Sequence, residues 1–84
     1  MTREADPTAQ APMFPLALAA DGRQVQIRRV LGGHGLQRRL LAMGLTPGAQ
    51  IRVVRNDRGG PLVIGVMDSR FMLGRGMAQH ILVS

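Results

Sequence analysis

The sequence predicts a small, mainly β fold: a barrel of about five short strands with one inserted α-helix over about residues 34–43. Three observations support this class. The 84 residues suffice for one compact core. Apolar and polar residues alternate in several short segments, as in half-buried strands, and between the first two segments the period lengthens to that of a helix. Because a short open sheet would expose its edges, a closed barrel is the economical arrangement.

The first predicted strand covers residues 24–28, where Val25 and Ile27 alternate with polar residues. This period of two is typical of a strand with one buried face. The alternation slips at Arg29 and Val30. We therefore expect either a bulge or the end of the strand at that point.

The predicted helix carries Leu36, Leu40 and Met43 at positions i, i+4 and i+7, which places them on one apolar stripe. Leu41 is expected to widen this stripe. The glycine-rich run before the helix, residues 32–35, is interpreted as a flexible connector. A phosphate-binding loop is the alternative, but the run lacks the Lys-Ser or Lys-Thr ending of a nucleotide-binding loop.

The end of the helix is marked by Gly44, which stands where a left-handed C-terminal cap is expected. Leu45 can then fold back onto the last helical turn, as in a Schellman motif. Thr46 follows, and Pro47 and Gly48 have the residue types of the two central positions of a type II turn. Leu36, Leu40, Met43, Gly44, Leu45, Pro47 and Gly48 are therefore expected to be structural residues.

Four further short strands are predicted from alternation. Asp68 and Ser69 are expected to form the tight connection between the second and third of them, and residues 74–79 a loop with about one helical turn. The apolar positions of the four strands are Ile51 and Val53; Leu62, Ile64 and Val66; Phe71 and Leu73; and Ile81 and Val83.

Composition narrows the class of protein further. There is no cysteine, which excludes disulfides and thiolate metal sites and indicates a reducing compartment such as the cytoplasm. No apolar run approaches the ~18 residues of a membrane span. With only two aromatic residues, the six methionines are expected to help fill the core. Residues 1–12 are small and polar, so we expect a disordered tail followed by one domain over residues 13–84.

The sequence offers little for catalysis or metal binding. Ser69 and Ser84 are the only serines, and His34 and His80 lie far from each other in the chain with no evident acid to orient them. The two histidines, Asp68 and the methionines could be metal ligands, but no spacing forces them together. We therefore predict a non-enzyme with neither a metal nor a cofactor.

The net charge is +6 and all 11 basic residues are arginines. A basic nucleic-acid-binding barrel is one interpretation, although the aromatic residues that stack on bases in such barrels are nearly absent. The other interpretation is a protein-binding surface that meets an acidic patch. On the predicted elements, Arg38 and Arg39 of the helix and Arg52 and Arg55 of the second strand would present such a surface.

Several segments resemble the FeoA family of ferrous-iron transport proteins. The resemblance rests on the stretch LQRRLLAMGLTPGAQIRVVR, and on GGPLVIGV, FMLGRGMA and ILV after it. Pro15, Leu16, Gly22, Val25 and Ile27 agree as well. Together these residues cover about positions 14 to 84, and the helix closed by Met-Gly-Leu and Pro-Gly is the most specific part.

This resemblance implies an SH3-like barrel with an inserted helix. It also implies a cytoplasmic accessory protein of bacterial ferrous iron uptake. The expected partner is the FeoB-type permease, through its cytoplasmic G-protein-like region, so that contact with the membrane would be indirect. A nucleic-acid-binding barrel remains the alternative function.

Overall fold

The protein is built from strands, two α-helices and one 3-10 turn, seen in a computed structural model that describes residues 12–57 and 59–84. The predicted disordered tail therefore lies, apart from Pro12, outside the described residues. The strands are β1 (Phe14–Pro15), β2 (Gln24–Val30), β3 (Gln50–Asn56), β4 (Leu62–Val66), β5 (Ser69–Leu73) and β6 (Ile81–Val83). The helices are α1 (His34–Ala42) and α2 (Arg75–Ala78), and the 3-10 turn is Leu16–Leu18.

All strand pairs are antiparallel, and the strands lie in the order β1-β6-β2-β3-β4-β5. The last strand, β6, thus fills the place between the first two. Val83 in β6 pairs with Phe14 on one side and with Ile27 on the other. The predicted class, mainly β with one inserted helix, is confirmed. The strand β1 was not predicted, because two residues are too few to show an alternation.

Two register shifts bend the sheet, one in β2 between Ile27 and Arg29 and one in β3 between Val53 and Arg55. The first lies where the sequence alternation slips. The second has a consequence for the surface, because an extra residue in a strand changes which positions face outward. Arg52 and Arg55, three positions apart, are both exposed as a result.

The core lies within the curved sheet and is closed by side chains from the helices. Leu40 of α1 and Ala78 of α2 are fully buried in it. The largest fully buried side chains are Leu16, Ile27, Leu40, Leu45, Ile51, Leu62, Ile64, Leu73, Ile81, Val53 and Val83.

Among the described residues, the expectation that the methionines fill the core is wrong for three of them. Met13 is 46% exposed, Met67 97% and Met72 71%, whereas Met43 and Met77 are partly buried against the core. The physical reason is position: Met13 precedes β1, Met67 stands in a turn, and Met72 lies on the outward-facing side of β5. β-Branched and leucine side chains occupy the interior instead.

The connection between β4 and β5 is also displaced by one residue from the prediction. Val66 pairs with Ser69, so the two-residue turn consists of Met67 and Asp68 rather than Asp68 and Ser69. Met67 has a φ of 55°, a value that glycine or asparagine adopts more readily. Because position 67 is neither glycine nor asparagine, the position of the turn could not be predicted from the sequence.

Arg75 joins parts of the chain that are distant in sequence. Its guanidinium donates hydrogen bonds to the carbonyl oxygens of Gly60 (3.2 Å) and Ala17 (3.2 Å), to Asn56 Oδ1 (2.6 Å) and to the carbonyl of Asp57. Asn56 in turn donates through Nδ2 to the carbonyl oxygens of Ala17 (2.9 Å) and Ala19 (2.7 Å). This set, the Arg75 network, ties α2 to the 3-10 turn, the end of β3 and the following loop.

Candidate partner-binding groove

The helix α1 ends in a complete Schellman motif. The amide of Gly44 donates to the carbonyl of Leu41 (2.9 Å), and the amide of Leu45 donates to the carbonyl of Leu40 (2.8 Å). Gly44 has a φ of +81°. Leu45 is thereby turned back under the helix and is buried. These contacts fix where the helix stops relative to the sheet.

A type II turn follows directly. Pro47 and Gly48 occupy its centre, Gly48 has a φ of +95°, and the amide of Ala49 donates to the carbonyl of Thr46 (2.9 Å). The amide of Gly48 also donates to the carbonyl of Ile27 in β2 (2.7 Å). The turn is therefore held against β2, and Pro47 is exposed beside α1.

The start of α1 is fixed by Gly32. Its φ is +117°, and a Cβ atom at this position would lie 2.9 Å from Leu36 Cδ2. The neighbouring amide of Leu31 donates to the carbonyl of His80 (2.7 Å), and Gln37 Nε2 donates to the carbonyl of Gly32 (3.3 Å). Gly32 therefore gives the helix a defined, packed entry, whereas a Cβ atom at Gly33 or Gly35 would meet nothing within 4 Å.

The two sides of α1 differ sharply. Leu40 is fully buried, and Leu36 and Met43 pack against the core beside it. Leu41 is 61% exposed, so the expectation that it widens the buried stripe is wrong. At ~100° per residue, Leu41 points about 130° away from the centre of that stripe. An exposed leucine on a helix is left available to a partner.

A groove opens beside this exposed side of α1, with a volume of about 340 Å³. The helix contributes four residues at positions i, i+3, i+4 and i+7, which form a second stripe distinct from the buried one. The rest comes from β2, from the type II turn and from Leu45 of the Schellman end. The lining residues of this α1 groove are Val30, His34, Gln37, Arg38, Leu41, Leu45, Thr46 and Pro47.

The four arginines proposed from the sequence as partner-binding residues are all exposed. Arg38 lines the α1 groove, and Arg39 is exposed next to it on α1. Arg52 lines a different groove on the outer side of the sheet. Arg55 is paired with the carboxylate of Asp57 at 3.3 Å. Of the four, Arg38 is the one that combines charge with the apolar lining of the α1 groove.

The two histidines, the other candidates for chemistry, lie at different places. His34 lines the groove from the first turn of α1, while the Nδ1 atom of His80 lies 2.8 Å from the carbonyl oxygen of Gly76. Within residues 12–57 and 59–84, no group of three or more His, Cys, Asp and Glu side chains is placed to hold a metal ion.

Sequence reasoning missed the groove although a signal for it existed. His34, Gln37, Arg38 and Leu41 have helical spacing on one face. A leucine that far from the buried stripe is a candidate for the surface. The contribution of Pro47 had no such signal, because it depends on how the type II turn packs against β2.

Among the described residues, no helix combines the length and the apolar character that crossing a bilayer requires.

Comparison with known proteins gives consistent results. A model of the FeoA domain family matches residues 14–84. A relative from Methanocaldococcus jannaschii, whose provisional name is Fe(2+) transport protein A, is 38% identical over 71 residues, which cover 84% of this chain and 85% of the relative.

Solved structures with the same fold are known. The crystal structure of an iron uptake regulatory protein, FeoA, superposes with a TM-score of 0.81 at 38% identity, covering 86% of this chain and 96% of that one. A manganese-dependent transcriptional repressor superposes with a TM-score of 0.79 at 22% identity, covering 86% of this chain and 41% of the repressor. The latter likeness concerns the fold alone. The SH3-like barrel expected from the sequence is confirmed. Strand pairing does not close it, because among the described strands β1 and β5 stand at the two ends of the order and do not pair with each other.

Proposed function

The chain belongs to the FeoA family, and from this premise we propose that it is a non-enzymatic accessory protein of ferrous iron uptake. We place it in the cytoplasm, where it binds the cytoplasmic G-protein-like region of a FeoB-type permease. The family match and the name of the Methanocaldococcus jannaschii relative support the role in iron uptake. The partner is the one that membership of the family leads us to expect.

The observation that carries the proposal is the exposed Leu41 within a groove that also holds Arg38. Burying a leucine side chain against a partner stabilises a complex by roughly 1.5–3 kcal/mol. Arg38 can pair with a carboxylate at the edge of the contact, which adds orientation and a faster encounter. We therefore assign the α1 groove as the surface that binds the permease. The permease would place an apolar side chain, flanked by acidic residues, in this groove.

The architecture suits this use, because the groove is built on rigid elements. The Schellman end of α1 and the type II turn hold Leu41 and Pro47 on either side of the groove through backbone hydrogen bonds. A preorganised surface loses little conformational entropy when it binds. The proposal thus requires no rearrangement of the barrel.

The test is a binding titration with the purified cytoplasmic region of the permease, by isothermal calorimetry. Leu41→Glu is expected to weaken binding at least about tenfold, which corresponds to ~1.4 kcal/mol. Leu18→Glu is the matched control, since Leu18 is 73% exposed but lies on the 3-10 turn outside the groove. Equal affinities for the two variants would remove the α1 groove from the proposal.

A second titration tests the charged part of the surface. Arg38→Glu combined with Arg39→Glu should weaken binding and leave the melting temperature nearly unchanged, because both side chains are exposed. If the wild-type protein does not bind the permease region, the proposed partner is wrong, whatever the role of the groove.

A further inference from the structure

A second surface, on the opposite end of the sheet order from β1, has features of a strand-binding edge. β5 is the last strand in the order and pairs with β4 alone among the described strands. Its residues Ser69, Arg70 and Met72 are exposed. An edge strand with exposed backbone is a template for adding an extended segment.

The hairpin register shows which backbone groups face this edge. Val66 and Ser69 flank a two-residue turn, so they form a hydrogen-bonded pair, and such pairs alternate along an antiparallel ladder. Phe71 therefore directs its amide and carbonyl toward β4. Arg70 and Met72, in the non-hydrogen-bonded positions, direct theirs away from β4. We call this free side, with the backbone groups of Arg70 and Met72, the β5 edge.

Charge indicates what kind of segment the edge accepts. Arg70 pairs with Gly65, which pairs on its other side with Arg52, so two arginines face outward in one row across three strands. Gly65 has no side chain to separate them. The groove above this row is lined by both arginines and by one carboxylate, Asp68. Its charged lining is therefore net positive next to the β5 edge.

We infer that the β5 edge binds an acidic, extended segment of a partner protein by adding it as a further strand. Cross-strand neighbours stand about 5 Å apart, so a carboxylate in the added strand would lie opposite Arg70. Two residues along, an apolar side chain of the segment would lie on Met72, which is 71% exposed. The recognised pattern is an acidic and an apolar residue separated by one position.

A second copy of this chain fits the edge less well. Each chain carries a net charge of +6, and pairing two β5 edges would bring both basic rows together, where like charges repel. The inference does not depend on the proposed function, because neither Arg70 nor Met72 lines the α1 groove.

The test uses a peptide of about eight residues, the length of a natural strand, in which threonine fills every second position and glutamate and valine alternate at the positions between (Glu-Thr-Val-Thr, repeated). Glutamate and valine then lie two positions apart on one face, and a matched peptide has lysine in place of glutamate. The glutamate peptide is expected to bind and to slow hydrogen exchange at the amides of Arg70 and Met72, measured by NMR. Arg70→Glu should weaken its binding at least about tenfold and favour the lysine peptide. Arg29→Glu, the same charge change at an exposed position of β2, should have little effect.

A proline substitution separates backbone pairing from charge. Met72→Pro removes an amide that faces the free edge and not one that bonds to β4, a placement at which sheets tolerate proline. We expect it to abolish peptide binding, whereas Met72→Thr, which keeps the amide, should retain it. Melting curves of both variants verify the fold, and Arg70→Glu tests the proposal if Met72→Pro does not fold.

Three outcomes would overturn the inference. Equal binding of the lysine and glutamate peptides would show that charge does not select the segment. Protection of α1 amides instead of Arg70 and Met72 would place the peptide elsewhere. Concentration-dependent self-association through β5, seen by sedimentation, would make a second copy the occupant.

Discussion

At the residue scale, two glycines determine how α1 is framed, and they do so differently. Gly44 has a φ of +81°, and a Cβ there would meet only Val66 Cγ1 at an ordinary 3.6 Å. Its requirement is therefore conformational. Gly32 has a φ of +117°, and its Cβ would lie 2.9 Å from Leu36 Cδ2. Its requirement is both conformational and steric.

These differences predict different responses to substitution. Gly44→Val should lower the free energy of unfolding by roughly 1–3 kcal/mol, and Gly44→Asn by less, because asparagine tolerates the left-handed region. Gly32→Asn should be no such rescue, because a φ of +117° lies outside the left-handed region that asparagine tolerates and the methyl group of Leu36 would also have to shift. Urea unfolding of the four proteins, wild type included, measures this. An unfolding free energy for Gly44→Val equal to wild type would contradict the role of Gly44 as a C-terminal cap.

Arg75 gives a second prediction at this scale. Arg75→Met keeps most of the aliphatic stem but removes four hydrogen bonds, three of them to backbone carbonyls. Because hydrogen bonds to charged groups contribute about 1.5–3 kcal/mol each and this side chain is only partly buried, we expect a loss of about 3 kcal/mol in all. Arg75→Lys should recover only part of it, since an ammonium lacks the guanidinium fork.

Thermal and urea unfolding measure both variants. Arg29→Met is the matched control at an exposed arginine, and we expect it to change stability by less than about 0.5 kcal/mol. Equal stability of Arg75→Met and Arg29→Met would show that the Arg75 network does not stabilise the barrel.

The sequence could indicate Gly44 but not Arg75, and the reason is distance along the chain. A C-terminal cap is a local pattern: an apolar stripe, a glycine and a leucine that folds back. Arg75 acts on Ala17 and Asn56, which are 58 and 19 positions away. In a sequence with 11 basic residues, all arginines, nothing distinguishes the one that becomes a structural tie.

At the element scale, the two sides of α1 differ in function: one packs on the core and the other lines the α1 groove. Leu40→Ala should cost about 2–5 kcal/mol, because it leaves a cavity in the core, while Leu41→Ala should change stability by less than about 0.5 kcal/mol. The free energies of unfolding from urea titration test this pair of adjacent residues. A large loss for Leu41→Ala would mean that Leu41 is committed to the fold and not available in the α1 groove.

The elements themselves were largely predictable, and the differences have physical causes. Alternation located β2 to β6 and the helical period located α1, because each has one face on the core. β1 is too short to show a pattern. The β4–β5 turn was displaced by one residue because Met67 adopts a positive φ without the residue type that usually signals it. The α1 groove depends on Pro47 and Val30 packing beside the helix, which no local pattern encodes.

At the scale of the whole molecule, the net charge of +6 is compatible with both functions considered from the sequence. The aromatic residues and the dependence of binding on salt separate them. Phe14 and Phe71 are both partly buried, and Phe14 lies under the guanidinium of Arg23 at 5.0 Å. Stacking on bases is therefore not supported, and only attraction to phosphates remains. We expect any gel shift of DNA or RNA seen at an ionic strength of about 0.01 M to be lost by about 0.15 M, as charges become screened. Retention of a sequence-dependent shift at the higher ionic strength would favour the nucleic-acid function.

The place of β6 between β1 and β2 has a consequence for how the protein is made. Both of those strands are translated before β6, the strand of residues 81–83 that pairs with each of them. Until β6 has been translated and has left the ribosomal exit tunnel, β1 has no strand to pair with, and β2 can pair on one side only, with β3. Completion of the sheet is thereby a step that follows release of this segment from the ribosome.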